Sequence, residues 1–354
     1  MKKTMIATAV AAAFALPMAA QADVTVYGKI NNSITNVEAT TNNAATTEQW
    51  QVQDYASRLG FKGSEDLGGG LKAIWKYEMS YDTDETGAGC PGTDQTDTAS
   101  TATNRNCSAR NTYVGLAGDF GTFVVGRHDT PYKMAWYAGG ADFADSTVAD
   151  FNESGIGGDN VGDTHFDETR ISNAIAYISP DMSGFKAALA IIPGETTNVE
   201  DGLADSWSTG LMYAGHGVKV GAGLESLADT AVTTPSEKRW HVTGSYTFNN
   251  ISVGASYANV KNDANVEDDK KKSMGLSAQY AFGKSAVGAN YRNSKLERAA
   301  NDGDINSWAF FVSHAMSNRT KVYAAVAQHE YDEENGSAND QETNEYGFGI
   351  MHNF

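Results

Sequence analysis

Apolar and polar residues alternate with a period of two along most of the chain. In 24–31, Val24, Val26, Gly28 and Ile30 fall on one side and Thr25, Tyr27, Lys29 and Asn31 on the other. That is a strand with one apolar and one polar face. Segment 57–63 sets Leu59 and Phe61 against Arg58, Gly60 and Lys62; 71–81 sets Leu71, Ala73, Trp75, Tyr77 and Met79 against Lys72, Ile74, Lys76 and Glu78. The same pattern predicts strands at 110–118, 122–127, 170–178, 185–192, 206–214, 218–227, 238–248, 251–260, 272–282, 285–295, 305–316, 319–331 and 343–354, sixteen in all. Residues 32–54 read as a Thr- and Asn-rich loop.

The connections alternate as well. Turns at 215–217, 249–250, 283–284 and 317–318 are short, whereas 193–205, 228–237, 261–271, 296–304 and 332–342 are longer and mostly acidic. Short turns at one end, long loops at the other and strands of about ten residues between them form the pattern of a membrane β-barrel. Aromatics near strand ends fit an interfacial girdle: Tyr81, Trp136, Phe185, Trp207, Trp240, Phe248, Tyr257, Phe282, Tyr291, Trp308, Tyr323 and Tyr331. In the final strand Tyr346, Phe348, Ile350, His352 and Phe354 share a face. Pairing it with the first strand would close the sheet and remove its edges, as lipid requires.

One stretch breaks the pattern. Residues 128–169 are rich in Gly and Asp and carry nine acids (Asp129, Asp142, Asp145, Asp150, Glu153, Asp159, Asp163, Asp167 and Glu168) against Lys133. So long an irregular segment between two strands is usually functional or disordered. Here it is expected to fold into the barrel lumen.

Composition narrows the class. Residues 1–22 combine Lys2 and Lys3, an apolar run and Ala20-Gln21-Ala22, a cleavable secretory signal. This leaves 23–354 as one domain. Beyond Asp23 no apolar run approaches the roughly 20 residues of a spanning helix. Cys90 and Cys107 suit one local disulfide in an exported chain, worth about 3 kcal/mol in the chain-entropy picture. G-x-S-x-G and H-E-x-x-H are absent and the seven histidines are scattered, which argues against an enzyme. No cofactor, metal or nucleic acid is expected.

The chain resembles the general diffusion porins of Gram-negative outer membranes. The likeness runs over its whole length and is carried by Tyr27-Gly28-Lys29, SRLGFKGSEDL at 57–67, GDFGTFVVGR at 118–127, AYISPDMSGF at 176–185 and the terminal Phe354. The resemblance implies an all-β fold, a 16-stranded antiparallel transmembrane β-barrel with an inward-folded third loop. It also implies a homotrimer in the outer membrane, contact with its lipid and lipopolysaccharide, and passage of ions and small hydrophilic solutes. Phe354 matches the signal read by the outer-membrane assembly machinery. Arg58, Arg110 and Arg170 match a wall ladder of arginines, and Lys29 a pore-facing lysine; these would face acids of the third loop across a constriction. Ala141-Asp142-Phe143-Ala144-Asp145 is the nearest match to a third-loop motif of the family, so Asp142 and Asp145 are the acids of choice. Strict alternation would group Arg110 with Val114 and Leu116; a bulge or a lumen-facing apolar patch is needed to turn it inward.

Selectivity is expected to lean toward cations, because the insert and outer loops are strongly acidic and the chain carries −18. Acidic runs at 267–269 and 332–334 read first as solvated charge, with shared divalent cations on lipopolysaccharide as the other reading. A sugar- or anion-specific channel is the nearest alternative, and a barrel enzyme the more distant one.

Overall fold

The computed structural model describes residues 23–41, 46–81, 83, 108–150, 170–194, 202–228, 236–263, 269–297, 302–334 and 340–354. The proposed signal segment 1–22, Cys90, Cys107 and the loop acids from Glu153 to Glu168 lie outside these residues.

The chain closes into an antiparallel barrel. The first stave, β1 (Asp23–Thr41), is followed by β2 (Thr47–Asp54), β3 (Arg58–Gly68), β4 (Leu71–Ser80), β5 (Ala109–Gly118) and β6 (Gly121–Asp129). A helix, α1 (Pro131–Gly139), begins the long insert. Then come β7 (Arg170–Ile178), β8 (Phe185–Ile192), β9 (Ser206–Gly215), β10 (Val218–Leu227), β11 (Ser236–Phe248) and β12 (Ile251–Asp263). The circuit ends with β13 (Asp269–Phe282), β14 (Ser285–Glu297), β15 (Gly303–Ala315), β16 (Thr320–Glu333) and β17 (Gln341–Asn353). β17 pairs with β1 from Lys29↔Asn353 to Thr41↔Gln341, so no edge is left open.

Seventeen segments make sixteen staves because β2 and β3 are two halves of one. β3 pairs with the lower part of β1 (Asp23–Lys29) and β2 with the upper part (Asn32–Ala39). Between them Ala56 adopts a left-handed backbone (φ 55°). The break is stitched to Asn31: Tyr55 N–H donates to Asn31 O (2.9 Å) and Asn31 N–H to Ser57 Oγ (2.9 Å). The expected loop at 32–54 is therefore mostly strand. Its pattern is weak because, among the described residues, Ile34, Trp50 and Val52 are its outward large apolar side chains, while Gln49, Gln51 and Gln53 link to one another by side-chain hydrogen bonds.

Alternation sets the two faces. Val24, Val26, Ile30, Leu211, Leu224, Leu276, Phe310 and Phe348 point outward and are half-exposed or more. A continuous apolar exterior of this kind suits lipid, not water. Of the aromatics assigned to the girdle, three face inward instead: Tyr323, Tyr331 and Trp136 are buried, the last on α1. Spacing near a strand end does not reveal the face. Among the described residues no helix is long and apolar enough to cross a membrane. The largest buried cluster joins Ala144, Val148 and Ala149 of the insert to Tyr55, Ala309, Phe311, Ala325 and Ala327 of the wall; the insert packs on the inner face.

Candidate pore constriction

The insert leaves β6 through a capped helix. Thr130 accepts from Lys133 N–H (3.3 Å), Pro131 occupies the first turn and Gly140 closes the end in the left-handed region (φ 61°). α1 lies against the inner faces of β9, β10 and β11. It can do so because those faces lack side chains where it passes. A Cβ on Gly210 would overlap Pro131 O, and one on Gly221 would overlap Ala135 O. Further on, a Cβ on Gly254 would sit 2.8 Å from Ala141 Cα, and one on Gly347 2.8 Å from Val148 Cγ2.

Wall side chains then bind the insert backbone in sequence. Ser208 Oγ accepts from Tyr132 N–H (2.9 Å), His241 Nε2–H donates to Tyr132 O (2.9 Å) and Ser245 Oγ donates to Gly139 O (2.9 Å). Ser277 donates to Ala141 O, Asn290 Nδ2 to Ala149 O (3.2 Å) and Asn31 Nδ2 to Ser146 O (2.7 Å). Lys29 Nζ donates to Ser146 Oγ (2.8 Å). Beneath the helix Arg239 lies 4.7 Å from the Tyr132 ring centroid and is held by Glu225 (Nε–Oε1 2.9 Å) and Glu237 (3.1 Å). The insert is thus fastened from β9 round to β1.

Facing it across the lumen is a charged wall. Glu78, buried, accepts from Tyr27 Oη–H (2.7 Å) and pairs with Lys76 (3.1 Å) and Arg110 (Nε–Oε1 3.0 Å). Asp129 pairs with Arg170 (Nε–Oδ1 2.7 Å) and Lys133 (3.5 Å) and accepts from Asn111 Nδ2 (2.8 Å). Lys62 and Lys76 stand 5.2 and 5.5 Å from the Tyr27 ring centroid. Arg58 forms no ion pair or side-chain hydrogen bond among the described residues. A cavity of about 430 Å³ is lined by Lys29, Arg58, Lys76 and Arg110 with Glu78 and Asp129. Among its lining side chains the cations outnumber the acids by two.

Arg110 reaches this wall through a bulge. The β4–β5 register shifts between Tyr77 and Met79, leaving Arg110 and Asn111 both inside, on Glu78 and Asp129 respectively. Of the two resolutions open to the sequence, this is the one adopted.

The acids of choice lie elsewhere. Asp142 accepts from Ala144 N–H (3.0 Å) and shares a small cavity with Asn290 and Arg292 of β14. Its carboxyl is pushed above the usual range, first by enclosure and then by Asp145. Carboxylate oxygens of Asp142, Asp145 and Asp150 lie within 4.8 Å of one another, and Asp150 accepts from Ser146 N–H (2.7 Å). Arg110 therefore pairs with Glu78, and Arg170 with Asp129, whereas Asp142 is drawn toward Arg292 on a different wall. Asp129 was one of nine candidates in the insert. Nothing in its spacing distinguishes it, since its role comes from the strand end it terminates. Arg239, Arg292 and the glycine seat carry no sequence motif.

Phe354 closes the chain on Gly28: each N–H donates to the other's carbonyl (3.1 Å both) and the ring covers the glycine, where a Cβ would overlap it.

Comparison with known proteins gives the same class. The chain is 33% identical over 227 residues to major outer membrane protein P.IB of Neisseria gonorrhoeae, 61% of this chain and 55% of that protein. It therefore spans little more than half the length of that relative. Among solved structures, the anion-selective porin from Comamonas acidovorans superposes with a TM-score of 0.74 at 20% identity, covering 94% of this chain and all of that one. The trimer form of OmpT from Vibrio cholerae gives 0.64 at 16% identity, covering 94% and 99%. These two likenesses speak to the fold. The family profile described as Gram-negative porin matches residues 7–335, so the chain belongs to the Gram-negative porin family and is an outer-membrane β-barrel.

Proposed function

We propose that the barrel is a water-filled channel for passive diffusion of ions and small hydrophilic solutes, narrowed by its third loop and not an enzyme. The observation that carries this is the charged cavity on the inner wall of β1, β3, β4 and β5 and the end of β6, in a barrel whose insert is fastened to its inner face. Fixed charges of both signs across a narrow aqueous section favour polar solutes and bias ions by sign. The net charge of the chain favours cations at the mouth. At the cavity itself four cationic side chains stand with two acidic ones, and Asp142 is enclosed with Arg292 on another wall. We therefore assign anion preference, the property named for the Comamonas acidovorans relative in fold. A homotrimer is proposed by analogy with the trimer form of OmpT, and recognition by the assembly machinery through the exposed ring of Phe354.

Purified folded protein in planar bilayers tests the reading. Conductance steps in groups of three and a reversal potential of anionic sign in a KCl gradient are expected. Absence of conductance would refute the channel, and cation preference would refute the assignment of the constriction.

A further inference from the structure

Among the described residues of the insert, Ser146 is the only one with a side chain whose backbone is left-handed (φ 59°). Serine adopts that region uncommonly, whereas glycine does so at no steric cost. Such a conformation persists only where the surroundings hold it. Here they do: Ser146 is buried and each of its polar atoms is engaged. Its N–H donates to Asp150 Oδ2 (2.7 Å) and its O accepts from Asn31 Nδ2 (2.7 Å). Its Oγ accepts from Lys29 Nζ (2.8 Å) and donates to Asp145 Oδ1 (3.4 Å).

Two of these four bonds come from β1, where Lys29 and Asn31 are successive inward residues and both are buried. Asn31 is itself fixed, since its Nδ2 also donates to Tyr55 O (3.1 Å) and its Oδ1 accepts from Tyr323 Oη–H (3.0 Å). The bonds through Ser146 N–H and O need only backbone, and glycine would make them with less strain. What serine adds is the hydroxyl, and its short contact is the one to Lys29.

The ammonium has an electrostatic reason to turn this way. Lys29 stands opposite Arg58 of β3, and like charges directly opposite across strands repel. On the insert side, Ser146 holds the carboxylates of Asp145 and Asp150 on its Oγ and N–H. Leaning onto the insert thus moves the ammonium away from positive charge and toward negative charge. Lys29 accordingly lines the cavity with only 4% of its surface exposed.

We propose that Ser146 is a specificity-determining residue of the channel: its hydroxyl draws the Lys29 ammonium onto the insert and so sets how much of that charge reaches a passing ion. The inference rests on the channel reading of the cavity. Ser146 acts through Lys29 and is in that sense a positioning residue.

Reversal potentials in a KCl gradient test it in wild type, Ser146→Gly, Ser146→Ala, Lys29→Met and Lys29→Met/Ser146→Gly. Glycine suits the backbone and keeps the N–H and O bonds, so Ser146→Gly should form a barrel as resistant to detergent as wild type. Without the hydroxyl, Lys29 is expected to swing into the cavity. A unit charge brought from roughly 10 to roughly 7 Å of the ion path raises the chloride-to-potassium permeability ratio about twofold. Ser146→Ala lacks the same hydroxyl but keeps the strained backbone; it should give the same rise in ratio and be less stable than Ser146→Gly. In the Lys29→Met background the glycine substitution should leave the ratio where it was. A purely structural Ser146 would move stability and not selectivity. An unchanged ratio in Ser146→Gly, a rise there that Ser146→Ala does not share, or an equal rise in the absence of Lys29 would each overturn the proposal. A wild-type protein that does not conduct would instead bring down the channel reading on which it rests.

Discussion

Removing Arg58 is the cleanest perturbation of the charged wall. Arg58 lies opposite Lys29 on β1 and lines the cavity, yet among the described residues it has no ion pair or side-chain hydrogen bond. Arg58→Gln therefore deletes a charge without stranding a buried acid, and stability should hardly change. The cavity excess drops from two positive charges to one. A unit charge about 7 Å from a permeating ion contributes roughly 0.6 kcal/mol at the permittivity of water and about four times that at an effective value of 20. Ionic screening at 0.1 M roughly halves the lower figure. The substitution acts with opposite sign on the two ions of KCl, so the two effects add to about 0.6 kcal/mol, roughly a threefold fall in the chloride-to-potassium permeability ratio. Glu78→Gln should raise the ratio by a similar factor, because Lys76 and Arg110 lose their shared counter-charge.

The assay is the reversal potential across a tenfold KCl gradient for wild type and both variants. Shifts in opposite directions are required. An unchanged potential in Arg58→Gln would show that this wall does not line the ion path, and a shift toward anions would reverse the sign of the argument.

The remaining predictions concern the fastening of the loop. In Gly221→Val the new side chain overlaps Ala135 O and pushes α1 toward the lumen; single-channel conductance should fall while the barrel keeps its resistance to detergent. Asp142 has a folded pKa raised above the ordinary 3.8. Its protonated form therefore adds stability that is complete below that value and is lost as pH rises through the raised one. Thermal unfolding midpoints of wild type against Asp142→Asn should converge in acid and separate in favour of the variant toward neutrality. Glu225→Gln weakens the clamp on Arg239 under Tyr132 and should lower stability by about 2 kcal/mol, read by urea unfolding, with Glu237 retaining part of the pair.

What could be read from the sequence follows from what each feature depends on. Staves such as β7, β8 and β10 have bounds matching their alternation, because lipid on one side and water on the other impose a strict period of two. That logic fails at β2, where Trp50 and Val52 are the outward apolar residues and Glu48 and Asp54 flank them on the same face. It fails again at Tyr323 and Tyr331, which alternate correctly yet face inward, Tyr323 donating to Asn31 and Tyr331 packing on Leu296 and Ile305. The site residues divide in the same way. Lys29 and Arg58 follow from parity, whereas Arg110 depends on a bulge whose register no local pattern encodes. The pairing of acids was not legible at all. Which carboxylate meets which arginine depends on the path of the insert through three dimensions, and that path is set by glycines on β9, β10, β12 and β17 that in sequence look like weak points of strands.

Those glycines explain why the acids of the insert do not all face the wall arginines. A strand glycine is destabilising by roughly 0.5–1 kcal/mol relative to alanine. Four such positions are tolerated because the insert fills the space: Tyr132, Ala135, Val148 and Ala149 are completely buried there, each large side chain contributing roughly 1.5–3 kcal/mol. A loop held this closely against β9 to β14 must turn some of its polar groups to the surface it lies on. Asp142 is enclosed there with Arg292, and Asp150 is taken up by Ser146 N–H. At the start of the insert, before α1 reaches its seat, Asp129 instead pairs with Arg170, its cross-strand neighbour on β7. Anchoring thus consumes acid that composition alone would assign to the filter. This accounts, among the described residues, for a cavity whose lining side chains are net positive inside a chain whose net charge is −18.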